Sequence, residues 1–356
     1  MGVSVRTHTP IDDLTGGIEA GALVLIYGPT GCGKTTLCLK MAEGIMREGY
    51  QVVYIDTEGG APELPGVRFI RVRDLKEQGE ALKNLRKEGL SRAMIFVDSM
   101  TAAYHRRVLS VPAQLRAGVA GDLSGTISRH IDILRDIVEE RGENIAVLTA
   151  HLKSPVEYHF KMNMLRKMAK AWREGKYVPT AGDYMNIFAD DPVKWIGGRA
   201  LGMHVHRRLR IFVDEDGSRI LYIDKWPLRP NLCIRYVMDE RGNIKVAGGT
   251  FTLQDQMMRK LYSLEFKTIL SEALEITEKE GIEVEGVEEG GEGKGEEGPK
   301  RREEGQRRRR PKPGELRLPK VPSLGDIAEE EMARGGRADE PGDSGPDREG
   351  AGGGQG

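Results

Sequence analysis

The segment ALVLIYGPTGCGKTT (residues 22–36) passes from an apolar, β-branched run through a glycine-rich turn into a helical pattern. Within it, Gly28-Pro29-Thr30-Gly31-Cys32-Gly33-Lys34-Thr35 is a full match to G-x-x-x-x-G-K-[ST], and a strand before with a helix behind is the context that motif needs. Glycine has no Cβ, so the backbone N–H groups of such a turn can curl around a β-phosphate that a side chain would crowd out. Lys34 supplies a mobile positive charge for the β- and γ-phosphates, and Thr35 offers a hydroxyl to Mg2+. The helix opening near Lys34 adds the positive end of its dipole. Gly28, Pro29, Thr30, Gly31, Cys32, Gly33, Lys34, Thr35 and Thr36 are therefore the expected nucleotide-binding segment, with ATP and Mg2+ as cofactors.

Beside Ala22–Tyr27 stand three further largely apolar runs, Gln51–Ile55 (QVVYI), Ala93–Val97 (AMIFV) and Ile145–Thr149 (IAVLT). Runs this short and this apolar predict strands covered on both faces. Thr35–Glu48, Asp74–Glu88 and Asp122–Arg141 carry apolar residues at three- and four-residue spacing, which predicts helices between the strands. Such βα alternation predicts an α/β fold, a doubly wound and mostly parallel sheet with its ligand outside the carboxyl ends of the strands. Two carboxylates stand at those ends. Asp98 closes AMIFV, placed to hold the water shell of Mg2+ or else to cap the next helix. Glu58 follows the second run in Ile55-Asp56-Thr57-Glu58-Gly59, where it can polarise a water attacking the γ-phosphate or serve only as a turn carboxylate. Further on, His204–Val213, Arg219–Lys225 and Cys233–Met238 read as an added antiparallel C-terminal portion, with Asp214–Gly217 as a turn. Thr252–Lys279 reads as a helix striped by Leu253, Met257, Leu261, Leu264, Ile269 and Leu274.

The 356 residues are 38% hydrophobic and 31% charged, lean in apolar content for a chain packed throughout. The shortfall sits at the end: residues 281–298 are Glu/Gly-rich, 299–320 are basic and include Arg307–Arg310, and the remainder is acidic and then glycine-rich. Such a stretch cannot bury enough apolar surface to offset its ordering entropy. The expected organisation is a core at 1–250, a helix at 251–280 and a disordered tail at 281–356. Lys+Arg 54 against Asp+Glu 55 leaves a net charge of −1, which by itself points to no partner. Cys32, Cys38 and Cys233 have no C-x-x-C spacing, which excludes a four-thiolate zinc site and leaves small apolar residues in a reducing compartment. No apolar run behind a basic start marks a leader, and no uninterrupted stretch of roughly 18 apolar residues exists. A cytoplasmic protein with no membrane partner is the expectation.

The runs LTGGIEAGALVLIYGPTGCGKTTLCLKMA (14–42), VVYIDTEG (52–59) and MIFVDSMTAAYHRR (94–107), then PVKWIGGRALGMHVHRRLRIFVDEDGSRILYIDKWP (192–227), resemble the RecA/RadA recombinase superfamily. They are nearest to the short archaeal RadB-type paralogues that lack the N-terminal DNA-binding domain, and the likeness covers residues 11–245. It implies a RecA-like P-loop fold and ATP binding or hydrolysis in DNA recombination or repair. It also implies Glu58 as the activating carboxylate, Asp98 as the Mg2+-side aspartate, and Lys34 and Thr35 as phosphate and metal contacts. Two departures stand out. Where the family usually places Asn-Gln, whose amide senses the γ-phosphate, this chain has Ala150-His151. Imidazole also donates a hydrogen bond, so His151 joins Glu58 and Lys34 as an expected catalytic-site residue. Only some ten residues precede the core, so the helix-hairpin-helix domain and the Phe-x-x-Ala polymerisation strand have no counterpart, and self-assembly stays open. Lys225 falls where relatives place a basic residue near a neighbouring subunit's nucleotide, or is a salt-bridged surface lysine.

In that superfamily the loops after the third and fourth strands line the DNA channel. Here they correspond to Tyr104–Gly121, with Arg106, Arg107 and Arg116, and to Lys153–Trp195. In the second, Lys161, Arg166, Lys167, Lys170, Arg173 and Lys176 are interleaved with Phe160, Trp172 and Tyr177, a composition suited to single-stranded nucleic acid. Arg106, Arg107, Lys161, Lys167, Lys170 and Arg173 are the expected DNA-binding residues. Met162, Leu165, Ala169 and Trp172 nevertheless share one helical face, so Lys161–Lys176 also reads as an amphipathic helix docked on the core. The expected partners are DNA, single-stranded in preference, and a RadA-type recombinase, with Arg307–Arg310 a second candidate for nucleic acid. The expected function is a slow, DNA-linked ATPase whose nucleotide state controls DNA or recombinase binding. A regulatory protein that binds ATP with little hydrolysis, or a KaiC- or DnaB-like ring ATPase, is the alternative.

Overall fold

The computed structural model describes residues 4–280 apart from 113–114, 154–160, 189–195 and 197–198. The chain opens with β1 (Ser4–Val5) and β2 (Ile18–Glu19), a short antiparallel pair flanking α1 (Pro10–Thr15). The main sheet begins with β3 (Leu23–Gly28), followed by α2 (Lys34–Arg47), β4 (Gln51–Asp56) and β5 (Val67–Arg71). Next come α3 (Leu75–Glu88), β6 (Ala93–Asp98), α4 (Ala102–Leu109), α5 (Arg116–Glu139) and β7 (Ile145–His151). Three helices, α6 (Met162–Arg173), α7 (Ala181–Phe188) and α8 (Arg199–His204), precede β8 (Arg207–Val213), β9 (Arg219–Lys225) and β10 (Leu232–Met238). β11 (Ile244–Val246) and β12 (Phe251–Thr252) lead into α9 (Asp255–Glu280).

Ten strands form the main sheet in the order β11-β10-β9-β8-β3-β7-β6-β4-β5, with β12 paired to β10. From β8 to β5 every pairing is parallel. From β8 outward to β11 the pairings are antiparallel. This is the expected α/β architecture, a RecA-like P-loop sheet with an antiparallel extension. β7 lies between β3 and β6, so the glycine turn and Asp98 are separated by one strand.

Strict alternation within the parallel strands builds the two halves of the core. Val24 and Ile26 of β3, Val52 and Tyr54 of β4, and Val147 of β7 bury on one face, with Leu37, Met41 and Ile45 of α2. Leu25 and Tyr27, Val53 and Ile55, and Ala146 and Leu148 bury on the other, against Leu82 and Leu85 of α3 and Ile127, Ile131 and Leu134 of α5. Each such side chain taken wholly out of water contributes roughly 1.5–3 kcal/mol, and needing both faces covered is why these runs are apolar at consecutive positions. All three cysteines are buried thiols without a disulfide.

A third cluster joins Leu165 and Ala169 of α6, Tyr184, Ile187 and Phe188 of α7, and Phe266, Ile269, Leu270 and Ala273 of α9. At its edge the Arg210 guanidinium of β8, almost fully buried, pairs with Glu265 of α9. Tyr184 donates its hydroxyl to the other Glu265 oxygen at 2.7 Å. The same guanidinium lies 4.2 Å from the Phe212 ring centroid, 5.4 Å from Tyr262 and 5.8 Å from Tyr27. α9 is thereby fastened to the strand next to β3.

Several sequence expectations need correction. His204–Val213 is not one strand, for His204 ends α8 and the strand starts at Arg207. That strand, grouped with the antiparallel set, pairs parallel with β3 and antiparallel only with β9. Its alternating Arg and apolar residues conceal a strand buried in mid-sheet because Arg210 is neutralised by Glu265. Val67–Arg71 is a further parallel strand, paired to β4, which the sequence hides because it is the sheet's edge and carries charge in Val67-Arg68-Phe69-Ile70-Arg71. Tyr104–Gly121 is largely helical rather than a loop, since α4 runs to Leu109 and α5 starts at Arg116, six residues before the expected Asp122. The last helix starts at Asp255, behind the strand Phe251–Thr252, rather than at Thr252. Phe160, Lys153–Trp195 in part, and the tail 281–356 with Arg307–Arg310 lie outside the described residues.

Candidate nucleotide site

Parallel strands point their carboxyl ends the same way, so register alone gathers Gly28, Asp56, Asp98 and His151. Gly28 stands opposite His151, and Asp56 opposite Asp98. The turn between β3 and α2 places Gly31 at φ 74° and Gly33 at φ 95°, left-handed backbone that an L side chain resists. Gly28 is required for a different reason. A Cβ there would sit 2.8 Å from both Cys32 Sγ and the Ile211 carbonyl oxygen. A Cβ on Gly33 would meet Met238 Sδ at 2.6 Å. Cys32 is buried beneath the turn, and burial pushes its thiol pKa up, so it serves as packing. Arg219 of β9 donates to the Cys32 carbonyl at 3.2 Å, and Thr36 packs under the Gly242 turn. The antiparallel extension thus forms the outer wall of the turn.

Lys34 is buried, and its ammonium donates to the Gly28 and Pro29 carbonyls at 3.1 and 2.9 Å. Its Nζ also lies 3.3 Å from His151 Nδ1, which Thr30 Oγ1 approaches to 3.3 Å. Thr35 donates its hydroxyl to Asp98 Oδ2 at 2.6 Å. Asp98 accepts two more hydroxyls, Tyr54 at 2.6 Å on Oδ2 and Thr149 at 2.5 Å on Oδ1. Tyr54 is itself fixed by stacking between Phe69 and Phe96, with centroids at 5.1 and 5.6 Å.

Glu58 sits on a loop that Asp56 shapes. The Asp56 carboxylate accepts the backbone N–H groups of Glu58, Gly59 and Ala61 at 3.0, 2.7 and 3.3 Å. So anchored, Glu58 Oε1 lies 2.6 Å from His151 Nε2, and this hydrogen bond holds the Glu58 carboxyl below the usual carboxylate range. The expected residues Gly28 to Thr36, Glu58, Asp98 and His151 therefore converge. The tertiary structure adds Asp56, Tyr54, Thr149, Arg219 and Met238 to the site; only Asp56, in the turn-like Asp-Thr-Glu-Gly, carries a local signal in the sequence.

The expected DNA-contacting residues divide differently. Arg106 gives both terminal nitrogens to backbone carbonyls, Thr57 at 2.9 Å and Arg73 at 2.7 Å, and so ties α4 to the Glu58 loop. Arg107 is exposed on α4. Lys161 donates to the Ile187 carbonyl, and Arg173 pairs with Glu278 of α9. Lys167 is exposed and Lys170 half-buried. Met162, Leu165 and Ala169 are buried, and Trp172 and Tyr177 pack, partly buried, against the α6–α7–α9 cluster, so Met162–Arg173 is an amphipathic helix docked on that cluster.

A strand–glycine turn–helix facing acidic strand ends across a parallel sheet defines a P-loop ATPase of the RecA-like class. Residues 20–154 match the family model described as AAA domain. The DNA repair and recombination protein RadB of Methanothermobacter thermautotrophicus is 31% identical over 169 residues, covering 42% of this chain and 68% of that protein. Its Thermococcus sibiricus namesake is 32% identical over 175 residues, 44% of this chain and 69% of that protein. The RadB of Methanoculleus marisnigri is 52% identical over 120 residues, 27% and 51% of the two chains. This chain belongs to the RadB family. Among the described residues, no helix is long and apolar enough to cross a membrane.

Proposed function

We propose that this protein is a RecA-like ATPase of DNA repair and recombination that uses its nucleotide state to control its hold on DNA or on a recombinase. One observation carries the reading: Lys34, Thr35, Glu58, Asp98 and His151 meet in one hydrogen-bonded neighbourhood around a glycine turn. The names of the RadB relatives, which speak of DNA repair and recombination, support the setting. The turn and Lys34 hold the triphosphate, and Glu58 polarises the attacking water. Thr35 and Asp98 present hard oxygen donors 2.6 Å apart. They are the residues that would hold Mg2+, with water and phosphate oxygens as its other ligands. When bound, Mg2+ neutralises charge on the phosphates.

Turnover is slow in this reading, because an imidazole stands where the superfamily usually carries its amide sensor. Residues 1–250 carry the nucleotide chemistry, and 251–280 lock the helical layer to it. DNA contact falls to the outer face of α6, where Lys167 is exposed, and to Arg107. Equilibrium dialysis tests the nucleotide part. Lys34→Ala should weaken ATP binding about 100-fold, one lost charge-assisted contact of roughly 3 kcal/mol; equal binding would sink the reading. ATP hydrolysis should rise when single-stranded DNA is added. Lys167→Glu with Lys170→Glu should weaken single-strand binding and flatten its salt dependence, whereas unchanged binding would restrict α6 to docking. The Glu58–His151 hydrogen bond also favours a second reading, an ATP-binding switch with little hydrolysis. Glu58→Gln separates the two, for it abolishes turnover in the first and leaves the already low hydrolysis rate unchanged in the second.

A further inference from the structure

His151 stands between two groups to which the reading above gives different tasks, Lys34 on the phosphate and Glu58 on the water. Nδ1 of the ring lies 3.3 Å from Lys34 Nζ, and Nε2 lies 2.6 Å from Glu58 Oε1. An ammonium has donors and no acceptor, so the nitrogen facing Lys34 has to accept. A neutral imidazole accepting at Nδ1 carries its proton on Nε2, and that is where the Glu58 carboxylate meets it. Thr30 Oγ1, 3.3 Å from the same Nδ1, is able to donate there as well. The hydrogen bonds consequently run one way, from Lys34 N–H to Nδ1 and from Nε2–H to Glu58.

Each end of this bridge is supported independently. His151 is the last residue of β7, in register with Gly28. Glu58 rides on the loop that Asp56 fastens. Lys34 has the Gly28 and Pro29 carbonyls as further acceptors within 3.1 Å, so a phosphate that attracts its ammonium competes directly with Nδ1.

We propose that His151, as a neutral ring protonated on Nε2, is a positioning residue that joins Lys34 to Glu58, making the placement of the carboxylate depend on where the phosphate-binding lysine points. The role of Glu58 rests on the function proposed above; the bridge itself does not require hydrolysis.

Nitrogen NMR of the full chain labelled at histidine rings tests it, with the His151 signals assigned by their loss in His151→Gln. At neutral pH they should show a pyrrole-type Nε2 and a pyridine-type Nδ1. Lys34→Ala and Glu58→Gln should each shift them, and Mg2+ with a non-hydrolysable ATP analogue should move Nδ1 the further. In steady-state assays His151→Ala should lower kcat about 10- to 100-fold with little change in KM for ATP. His151→Gln, which keeps one acceptor and one donor, should recover most of that loss. A doubly protonated ring, a ring protonated on Nδ1, or parental kcat in His151→Ala would overturn the proposal. A parent chain that binds no ATP would overturn the nucleotide reading instead, and the nitrogen pattern would still decide the bridge.

Discussion

Asp98→Asn puts the central carboxylate of the site to the test. That side chain accepts hydroxyl hydrogen bonds from Thr35, Tyr54 and Thr149 at 2.6, 2.6 and 2.5 Å. A carboxylate accepts all three at once, whereas an amide has one accepting oxygen and turns an N–H2 toward at least one hydroxyl. Tyr54 and Thr149 are buried, so a displaced hydroxyl finds no water to replace the lost partner. A hydrogen bond to a charged group contributes about 1.5–3 kcal/mol, and losing one such bond while a hydroxyl rotates to accept should cost about 2 kcal/mol of folding stability. For a folded unit of this size that lowers Tm by about 4–8 °C. Urea and thermal melts without nucleotide measure this. ATP titrations with and without Mg2+ measure the second consequence, since the variant keeps the glycine turn and Lys34 but loses the anionic oxygen beside Thr35. Its ATP affinity should no longer respond to Mg2+. A variant as stable as the parent and still bound more tightly with Mg2+ would refute both the hydrogen-bond arithmetic and the placing of the metal.

Glu265→Gln leaves the Arg210 guanidinium buried without a counter-charge and should cost about 3–5 kcal/mol in urea melts, while Arg210→Met with Glu265→Leu should cost far less; equal losses would show that packing rather than charge holds α9. Gly28→Ala drives a Cβ to 2.8 Å from the Ile211 carbonyl oxygen, which the sheet cannot move aside, so about 1–3 kcal/mol of stability and most ATP affinity should go; a fully active variant would contradict the packing of the turn. His130 is buried beside Gln78 and Gly79, and burial holds its pKa down at about 4, below the ordinary value of 6.5. The unfolded chain therefore takes up this proton first, and stability should fall by about 3 kcal/mol as pH drops from 6.5 toward 4. Melts across that window should show a shallower loss in His130→Gln, and identical slopes would place the acid sensitivity elsewhere.

What could be read along the chain was local chemistry. Four consecutive-apolar strands, the glycine turn with Lys34 and Thr35, and carboxylates at strand ends announce themselves because each is encoded within about ten neighbouring residues, where backbone sterics and phosphate chemistry admit few alternatives. Which side chains meet was decided by register and crossover. Asp98 and Thr149 touch because β6 and β7 are neighbours, and His151 reaches Lys34 and Glu58 from residues 117 and 93 positions away. Burial also supplied what charge alone leaves open. Arg210 gains its counter-charge only when Glu265 arrives from another element, and the basic segment 161–176 reads both as a nucleic-acid segment and as a docked helix until α9 covers its apolar side. Charge in a sequence carries a sign but no address. Only the packed structure says whether water, a phosphate or a carboxylate will answer it.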